Sequence, residues 1–514
     1  MPASFAAARR AEPMDTLPLT ARQEPAVGRS PPGRSRGGAV WSSPARVALP
    51  VVIGLSLANF GWQLGSSSYY VDEVQSVTAA LAPLGGLLHG VSRTELSPPA
   101  YFYFLHEWLV RLGSDAEWVA RIPSALGGGL LVAAVYWLAS LTGLRRTAAL
   151  GAAALTGASP FVLEYAQRAQ PYLFVMLAVT VAAGAVLAAE RDPTRSRPWL
   201  AAAAAASMLA IALHYTAALV LVGLCWRVIR SRVLTTVERG AYVVACACAA
   251  LALVPLAIAQ HRSIPIRTGV ADSAGVTIAS AARVLETPFA GRIETLPVLG
   301  CAVMVAALLV LVARGGALRE RQLVLLLAAG EPLVLLVASA LGAHLMLTRY
   351  AAVAAPFMLL AIAAAGTELA QLARPAAALL VLAAAVAAAA GLLASHRRAG
   401  FELDARDAVA YLGSHTVAGQ AVLAPKDPGI QAPLVFYGVK ALNPIWARQA
   451  TFAAVLREQR RPTWAIVALP SQSPTAAAVL AFTKGALWRL GLATRATHLL
   501  PGVTPVALLL EVRR

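Results

Sequence analysis

The chain has 514 residues, 58% of them hydrophobic and only 13% charged, with a mean hydropathy of +0.66. Soluble domains carry about 25% charged residues, so this composition excludes an ordinary globular protein. The net charge of +18 does not point to nucleic acid, because the arginines sit in short connections between apolar runs and no basic or aromatic-basic module is present.

Residues 1–46 are rich in Pro, Gly, Ser and Arg, and read as a disordered basic tail on the cytoplasmic side. The first apolar run, Val47–Leu64, is followed by a long polar stretch at 66–121 that is not itself a span. Further runs of membrane-crossing type occupy 118–142, 147–163, 171–190, 199–212, 215–229, 240–260, 295–313, 322–341, 350–368 and 375–394. The expectation is an all-α polytopic membrane protein with about eleven spans, each long enough for a ~30 Å hydrocarbon core.

Alternate connections are basic: Arg145-Arg146, Arg191/Arg195/Arg197, Arg227/Arg230/Arg232/Arg239 and Arg314/Arg319/Arg321. The positive-inside rule places these in the cytoplasm and the 66–121 loop outside. The run Trp199–Ile229 decides the later topology. As one helix it would be about 46 Å long at ~1.5 Å per residue, well beyond the core. Two short spans broken near His214-Tyr215 keep the charge rule, and that reading is adopted.

A second external connection follows at 261–294. From residue 396 the pattern changes. Short apolar runs (Ala421–Ala424, Leu434–Tyr437, Trp464–Leu469, Val506–Glu511) alternate with helix-compatible segments (Ala405–Ser414, Thr475–Leu490), which predicts a small α/β domain over 396–514. An odd number of spans puts that domain outside, beside the first loop. Cys225, Cys246, Cys248 and Cys301 lie in or beside spans, which argues against a disulfide framework or a zinc site.

The first loop concentrates the chemistry. It carries Asp72-Glu73, then Glu95, Ser97-Pro98-Pro99, His106-Glu107-Trp108 and Arg121. Two amphipathic surface helices are predicted at about 74–90 and 99–112, joined by a Pro-stiffened turn and able to lie in the interface plane. The stretch Tyr101–Trp108 equally suits an aromatic belt at headgroup level. Carboxylates at bilayer depth cost about 2.5–3.5 kcal/mol and need water, a partner or a task; Glu331-Pro332, inside a span, raises the same question with no role assigned.

An Asp-Glu pair after the first span, a Pro-Pro-x-Tyr-Phe stretch (Pro98–Phe102) and Arg121-Ile122-Pro123-Ser124 at the second span resemble the GT-C glycosyltransferases. The similarity is to the polyprenyl-phosphate-sugar-dependent branch, which includes protein O-mannosyltransferases and lipid A aminoarabinose transferases, and it covers about residues 47–395. It implies Asp72 as the base or acceptor-orienting group. Glu73 would support Asp72, or share a divalent cation (Mg or Mn) with it through oxygen ligands. Relatives carry Gln-Glu-Ala-Arg-x-Tyr in the next outer loop, where this chain has Gln167-Arg168-Ala169-Gln170-Pro171-Tyr172. Tyr172 carries over directly, and Arg168 as a shifted equivalent. Arg349-Tyr350, at the opening of a late span, is similar to the family's Arg-Tyr and implies a phosphate clamp. His214-Tyr215 resembles a frequent His-Tyr of the family. Glu95, Ser97, Pro98, Tyr101, His106, Arg121, Glu164 and Gln170 complete the expected substrate pocket.

The resemblance implies an inverting enzyme that moves mannose or another hexose or pentose. The sugar would pass from a polyprenyl-phosphate donor to a hydroxyl of a glycan, lipid or protein acceptor at the outer face. The Ala- and Arg-rich composition fits a high-GC bacterium, and so a plasma membrane. A transporter or flippase of lipid-linked sugar is the first alternative, and predicts midplane charge and inverted repeats that are not visible here. A non-catalytic glycan-binding assembly subunit is the second, separable by the effect of Asp72→Asn. The C-terminal domain suits acceptor recognition.

Overall fold

The computed structural model describes residues 43–514, apart from 264–277, 291–295, 315–318, 344–347, 398–403, 449–450, 460–461, 469–484, 486, 489–491, 500–506 and 514. The expected basic tail up to residue 42, much of the 261–294 connection and nearly all of Thr475–Leu490 lie outside these residues.

The bundle consists of α1 (Ser43–Gly61), α5 (Glu117–Leu141), α6 (Arg146–Ala158), α7 (Pro160–Ala166), α8 (Tyr172–Arg191), α9 (Ser196–Leu213), α10 (Ala217–Ile229), α11 (Thr236–Ser263), α13 (Pro297–Arg314), α14 (Arg319–Ala338), α15 (Ala355–Leu372) and α16 (Arg374–Arg397), with α2 (Val71–Leu81), α3 (Leu84–Thr94), α4 (Ala100–Leu112) and α12 (Ile278–Leu285) between them. Among the described residues, eight helices are long and apolar enough to cross a membrane, and the apolar stretches Val47–Gly61 and Ala217–Ile229 are shorter. Ten of the eleven expected spans are met by these long or shorter apolar helices, whereas 147–163 is met only by the short α6 and α7. The break at His214 gives α9 and α10 as separate helices.

Small residues let the helices close. On α5 an added β-carbon at Gly128 would stand 2.7 Å from the Phe60 ring of α1, and one at Gly129 would stand 2.7 Å from Leu57. Close backbone approach of this kind is what glycine supplies in membrane bundles. Asn59 Nδ2 donates to the Gly157 carbonyl at 3.1 Å, tying α1 to α6 as well. Away from the first loop, Arg227 donates to Glu190 at 2.6 Å between α10 and α8, and buried Glu368 pairs with both Arg314 and Arg321, joining α13, α14 and α15.

Prolines cut the predicted elements more finely than periodicity suggested. The 74–90 helix is instead two, α2 (Val71–Leu81) and α3 (Leu84–Thr94), because Pro83 has no N–H and drives Ala82 to an extended conformation (φ −65°, ψ 151°). The 147–163 span breaks at Ser159-Pro160, where the Ser159 hydroxyl caps α7 and donates to the Pro288 carbonyl at 2.6 Å. The span expected from 350 begins only at Ala355, so Arg349 and Tyr350 ride a 3-10 turn, Thr348–Val353. Helix α4 (Ala100–Leu112) matches its expected range and ends on Gly113 in the left-handed region (φ 61°).

The C-terminal domain is the expected small α/β unit: α17 (Ala405–His415), β1 (Ala421–Pro425), α18 (Pro428–Phe436), β2 (Ile445–Ala447), α19 (Phe452–Glu458), β3 (Thr463–Ala468), β4 (Ala493–Leu499) and β5 (Ala507–Arg513). The sheet order is β2-β1-β3-β5-β4. Strand β1 pairs parallel with β2 and β3 (Ala421 opposite Thr463), while β5 pairs antiparallel with β3 and β4 (Trp464 opposite Glu511). Alternation along β1 sends Val422 and Ala424 to one core and Leu423 to another, so both faces are covered. Leu434–Tyr437, read as strand-like, closes α18 instead; a four-residue apolar run cannot distinguish the two by pattern alone.

Candidate active site

The 62–116 loop is built around a buried ion pair. Glu73, in the first turn of α2, and Arg121, on the second turn of α5, each have only 2% of their side chain exposed. Arg121 Nε and Nη2 donate to the two Glu73 oxygens at 2.8 Å each, a planar fork. The remaining guanidinium N–H groups donate to the carbonyls of Leu64, Ser67 and Ser68 at 2.9–3.0 Å, gathering the chain that leaves α1. Glu73 also accepts from the backbone N–H of Ala169 at 2.9 Å and of Tyr70 at 3.1 Å. Burial works to raise its carboxyl, but the Arg121 charge and these hydrogen bonds outweigh it and hold Glu73 below the usual range.

That arrangement corrects two expectations. Glu73 offers no free oxygen to share a cation with Asp72, and Arg121 points into the loop scaffold rather than into a pocket. Among the described residues, no group of three or more His, Cys, Asp or Glu is placed to hold a metal ion.

Asp72, one residue earlier, faces the other way. It is 31% exposed and accepts from Arg349 Nη1 at 3.1 Å across 277 residues of sequence. Arg349 is stacked beside the Tyr350 ring at 5.6 Å and is 36% exposed. Burial opposes its charge, yet Tyr172, Asp72, Tyr350 and Tyr70 keep it a firm cation.

An aromatic wall surrounds this pair. The Tyr172 ring lies 4.8 Å from Tyr165 and 5.0 Å from the His214 ring. His214 is buried, and its Nδ1 is 2.8 Å from Thr216 Oγ1. Burial, then the Arg349 charge, push its imidazole down to about 4, so it is neutral at physiological pH. Arg168 pairs with Glu164 of its own loop at 2.9 Å and covers the Tyr70 ring of the first loop at 4.7 Å, so this arginine ties the two loops together. Glu95, at the end of α3, interacts electrostatically with Asp72 and with Tyr172.

The structure separates the other pocket candidates. His106 Nδ1 lies 2.6 Å from the Ala80 carbonyl and staples α4 to α2. Tyr101 is buried in the core against Phe174, with ring centroids 5.8 Å apart. Pro98 and Gln170 are buried. Ser97 contributes its carbonyl, which accepts from Gln260 Nε2 at 2.9 Å, and Tyr215 donates to Gln260 Oε1 at 2.7 Å.

Sequence reasoning missed Gln260, whose only signal is an amide near the end of a greasy helix. It also missed the ties to the C-terminal domain. Tyr437 accepts from the Tyr69 N–H at 2.8 Å and donates to Glu117 at 2.7 Å. Arg406 donates to the same Glu117 oxygen at 2.9 Å, and the Ala405 N–H donates to Ser68 Oγ at 3.0 Å. The domain is thereby fastened to residues 66–70, immediately before the acidic pair.

Residues 97–258 match the family model of the dolichyl-phosphate-mannose-protein mannosyltransferases. Among solved structures, the chain is similar to ArnT from Cupriavidus metallidurans bound to undecaprenyl phosphate. The identity is 14% over 90% of this chain and 97% of that chain, with a TM-score of 0.50. The fold is that of the GT-C glycosyltransferases. Weaker similarity reaches the Archaeoglobus fulgidus oligosaccharyltransferase, at 15% identity over 73% of this chain and 60% of that chain (TM-score 0.48). A comparison with curated proteins gives no match. The segment matched by the family model opens on Ser97-Pro98-Pro99 and includes Arg121, the 164–172 loop and His214-Tyr215. The loop between α1 and α5 is joined to the turn before α8 by the Ala169–Glu73 hydrogen bond and to the turn before α15 by the Arg349–Asp72 pair.

Proposed function

We propose that this protein is an integral-membrane glycosyltransferase that moves a sugar from a polyprenyl phosphate to an acceptor hydroxyl at the outer face of the plasma membrane. The basic connections, which alternate along the chain with the loop that carries Asp72, support that orientation. It also leaves the C-terminal domain outside, where its fastening to the first loop suits acceptor recognition. ArnT, the similar structure, was crystallised with a polyprenyl phosphate, which supports the lipid class.

The observation that carries the reading is the Asp72–Arg349 pair. A carboxylate fit to take a proton and a guanidinium fit to hold a phosphate touch one another, half-exposed, from distant parts of the chain. The lipid phosphate competes with Asp72 for Arg349 and draws the guanidinium away. The freed Asp72 carboxylate accepts the proton of the acceptor hydroxyl as its oxygen attacks the anomeric carbon. The carbon–oxygen bond to phosphate breaks on the opposite face and the lipid phosphate leaves with the electron pair, inverting the centre. Arg349 then balances the second negative charge on the departing phosphate. Neutral His214 and Tyr172 supply the sugar with an uncharged, partly aromatic wall.

The test is transfer by the purified protein in lipid, with a panel of polyprenyl-phosphate sugars. Asp72→Asn is expected to lower turnover by about 10²–10⁴-fold while the protein stays folded. Wild-type rates in the variant would overturn the assignment of Asp72.

A further inference from the structure

We propose that Gln260 is a positioning residue for sugar transfer. Its side-chain amide holds the first loop and the His214-Tyr215 break in a fixed relation, and so sets where Asp72 stands against Arg349. The inference deepens the glycosyltransferase reading and rests on it for the reaction served.

Helix α11 buries little of itself. Of its 28 residues only Tyr242, Cys246 and Gln260 are buried, and Gln260, near the C-terminal end, is 1% exposed. Enclosing an amide at the end of so apolar a helix costs free energy unless its polar atoms are paired. Here they are. Gln260 Nε2 donates to the Ser97 carbonyl at 2.9 Å and to the Val91 carbonyl at 3.4 Å, and Oε1 accepts from the Tyr215 hydroxyl at 2.7 Å. Two carbonyls call for two N–H donors, while the hydroxyl is met by the amide oxygen. A carboxylate has no donor to offer them, and an alkyl side chain has neither group.

Each partner leads to one half of the reacting pair. On one side, Val91 also accepts from the Glu95 N–H at 3.1 Å, which closes α3, and Ser97 is followed by Pro98-Pro99 and then α4. Helix α4 is stapled to α2 by His106 Nδ1, 2.6 Å from the Ala80 carbonyl, and Asp72 stands in the first turn of α2. On the other side, Tyr215 follows His214, whose ring lies 5.0 Å from that of Tyr172 at the start of α8. Helix α8 packs against the Thr348–Val353 turn that carries Arg349. The two routes close where Arg349 meets Asp72 at 3.1 Å. A displacement of about 1 Å between reacting groups can cost about 10²-fold in rate, so a hold this remote acts on turnover more than on ligand binding.

The experiment uses the full chain in lipid nanodiscs. Turnover is measured by the transfer assay, and binding with undecaprenyl phosphate as probe. Gln260→Met keeps the length of the side chain and removes all three hydrogen bonds. Its kcat is expected to fall about 10–100-fold, while the probe Kd stays within about threefold of wild type. Tyr215→Phe removes the hydroxyl alone and is expected to lower kcat about 3–10-fold with the same unchanged Kd. The double variant should be no slower than Gln260→Met, since the two side chains form one joint. An amide that only stabilised the fold would weaken the probe and slow turnover together. A kcat in Gln260→Met within about twofold of wild type, a matching loss of probe binding, or multiplicative effects in the double variant would each overturn the proposal. If Gln260→Met does not fold, Tyr215→Phe decides the matter by the same split between kcat and Kd. Failure of the glycosyltransferase reading looks different: the wild type itself then transfers sugar from none of the donors, and the proposal falls with it.

Discussion

Glutamine in place of Glu73 removes one charge from the most enclosed ion pair of the loop and changes the shape of the side chain very little. The consequence follows from the geometry. Arg121 keeps its three backbone carbonyls but loses its counter-charge while 2% exposed. One carboxylate oxygen becomes an NH₂ that faces donors, since both oxygens accept only from N–H groups of Arg121, Ala169 and Tyr70. Breaking a buried pair from one side costs about 3–5 kcal/mol. With an unfolding entropy of ~2.1 cal/mol/K per residue, a chain of about 500 residues melts roughly 1 °C lower per kcal/mol, so Tm should fall by about 3–5 °C. The assay is thermal unfolding in nanodiscs, followed by tryptophan fluorescence. Asp72→Asn is the control, because its half-exposed pair contributes within about 1 kcal/mol and its melt should stay near wild type. Arg121→Met combined with Glu73→Gln should lose less than the sum of the two single variants, by up to about 3 kcal/mol. The sign with pH is also set. A carboxyl held below its usual value stabilises the fold above the unfolded value near 4.3, and that contribution is lost as pH falls through the lowered folded value. The acid limb of the wild-type melt should therefore flatten in Glu73→Gln. A wild-type Tm in Glu73→Gln, with strictly additive doubles, would refute the structural role of this pair.

Arg349→Met should raise the KM for the lipid-linked donor by about 10–100-fold, the loss of a charge-assisted contact worth 1.5–3 kcal/mol. Initial rates against donor and acceptor check this; an effect confined to the acceptor KM would contradict the phosphate role. Tyr437→Phe removes the acceptor for the Tyr69 N–H and one donor to Glu117, at about 1–3 kcal/mol for the unsatisfied group. Amide exchange at residues 66–70 should accelerate, and unchanged protection would mean that the C-terminal domain does not hold the loop.

Much of this molecule is written locally. Hydrophobic length over about 20 residues identifies a span without reference to anything else, which is why ten of the eleven expected spans are met by an apolar helix. The break between α9 and α10 could be read from length and arginine placement. Asp72 and Arg349 stand out in the sequence through the resemblance of their motifs to a known family rather than through any local pattern. The prolines at 83 and 160 carried their own breaks, and the periodic reading overran them because it weighed hydrophobicity above backbone chemistry. What tertiary packing decided is the division of labour among the charges. Asp72 and Glu73 are neighbours in sequence, but successive residues on a helix point about 100° apart, so one meets Arg349 and the other is consumed by Arg121. Nor does any local pattern reveal that Gln260 clamps the Glu95 turn, or that Tyr437 reaches back to Tyr69. Those pairings span 163 and 368 residues, and exist only because the helices and the C-terminal domain bring them within hydrogen-bond reach. Local pattern reports what each segment must bury; which partner satisfies each polar group is settled only when the segments meet.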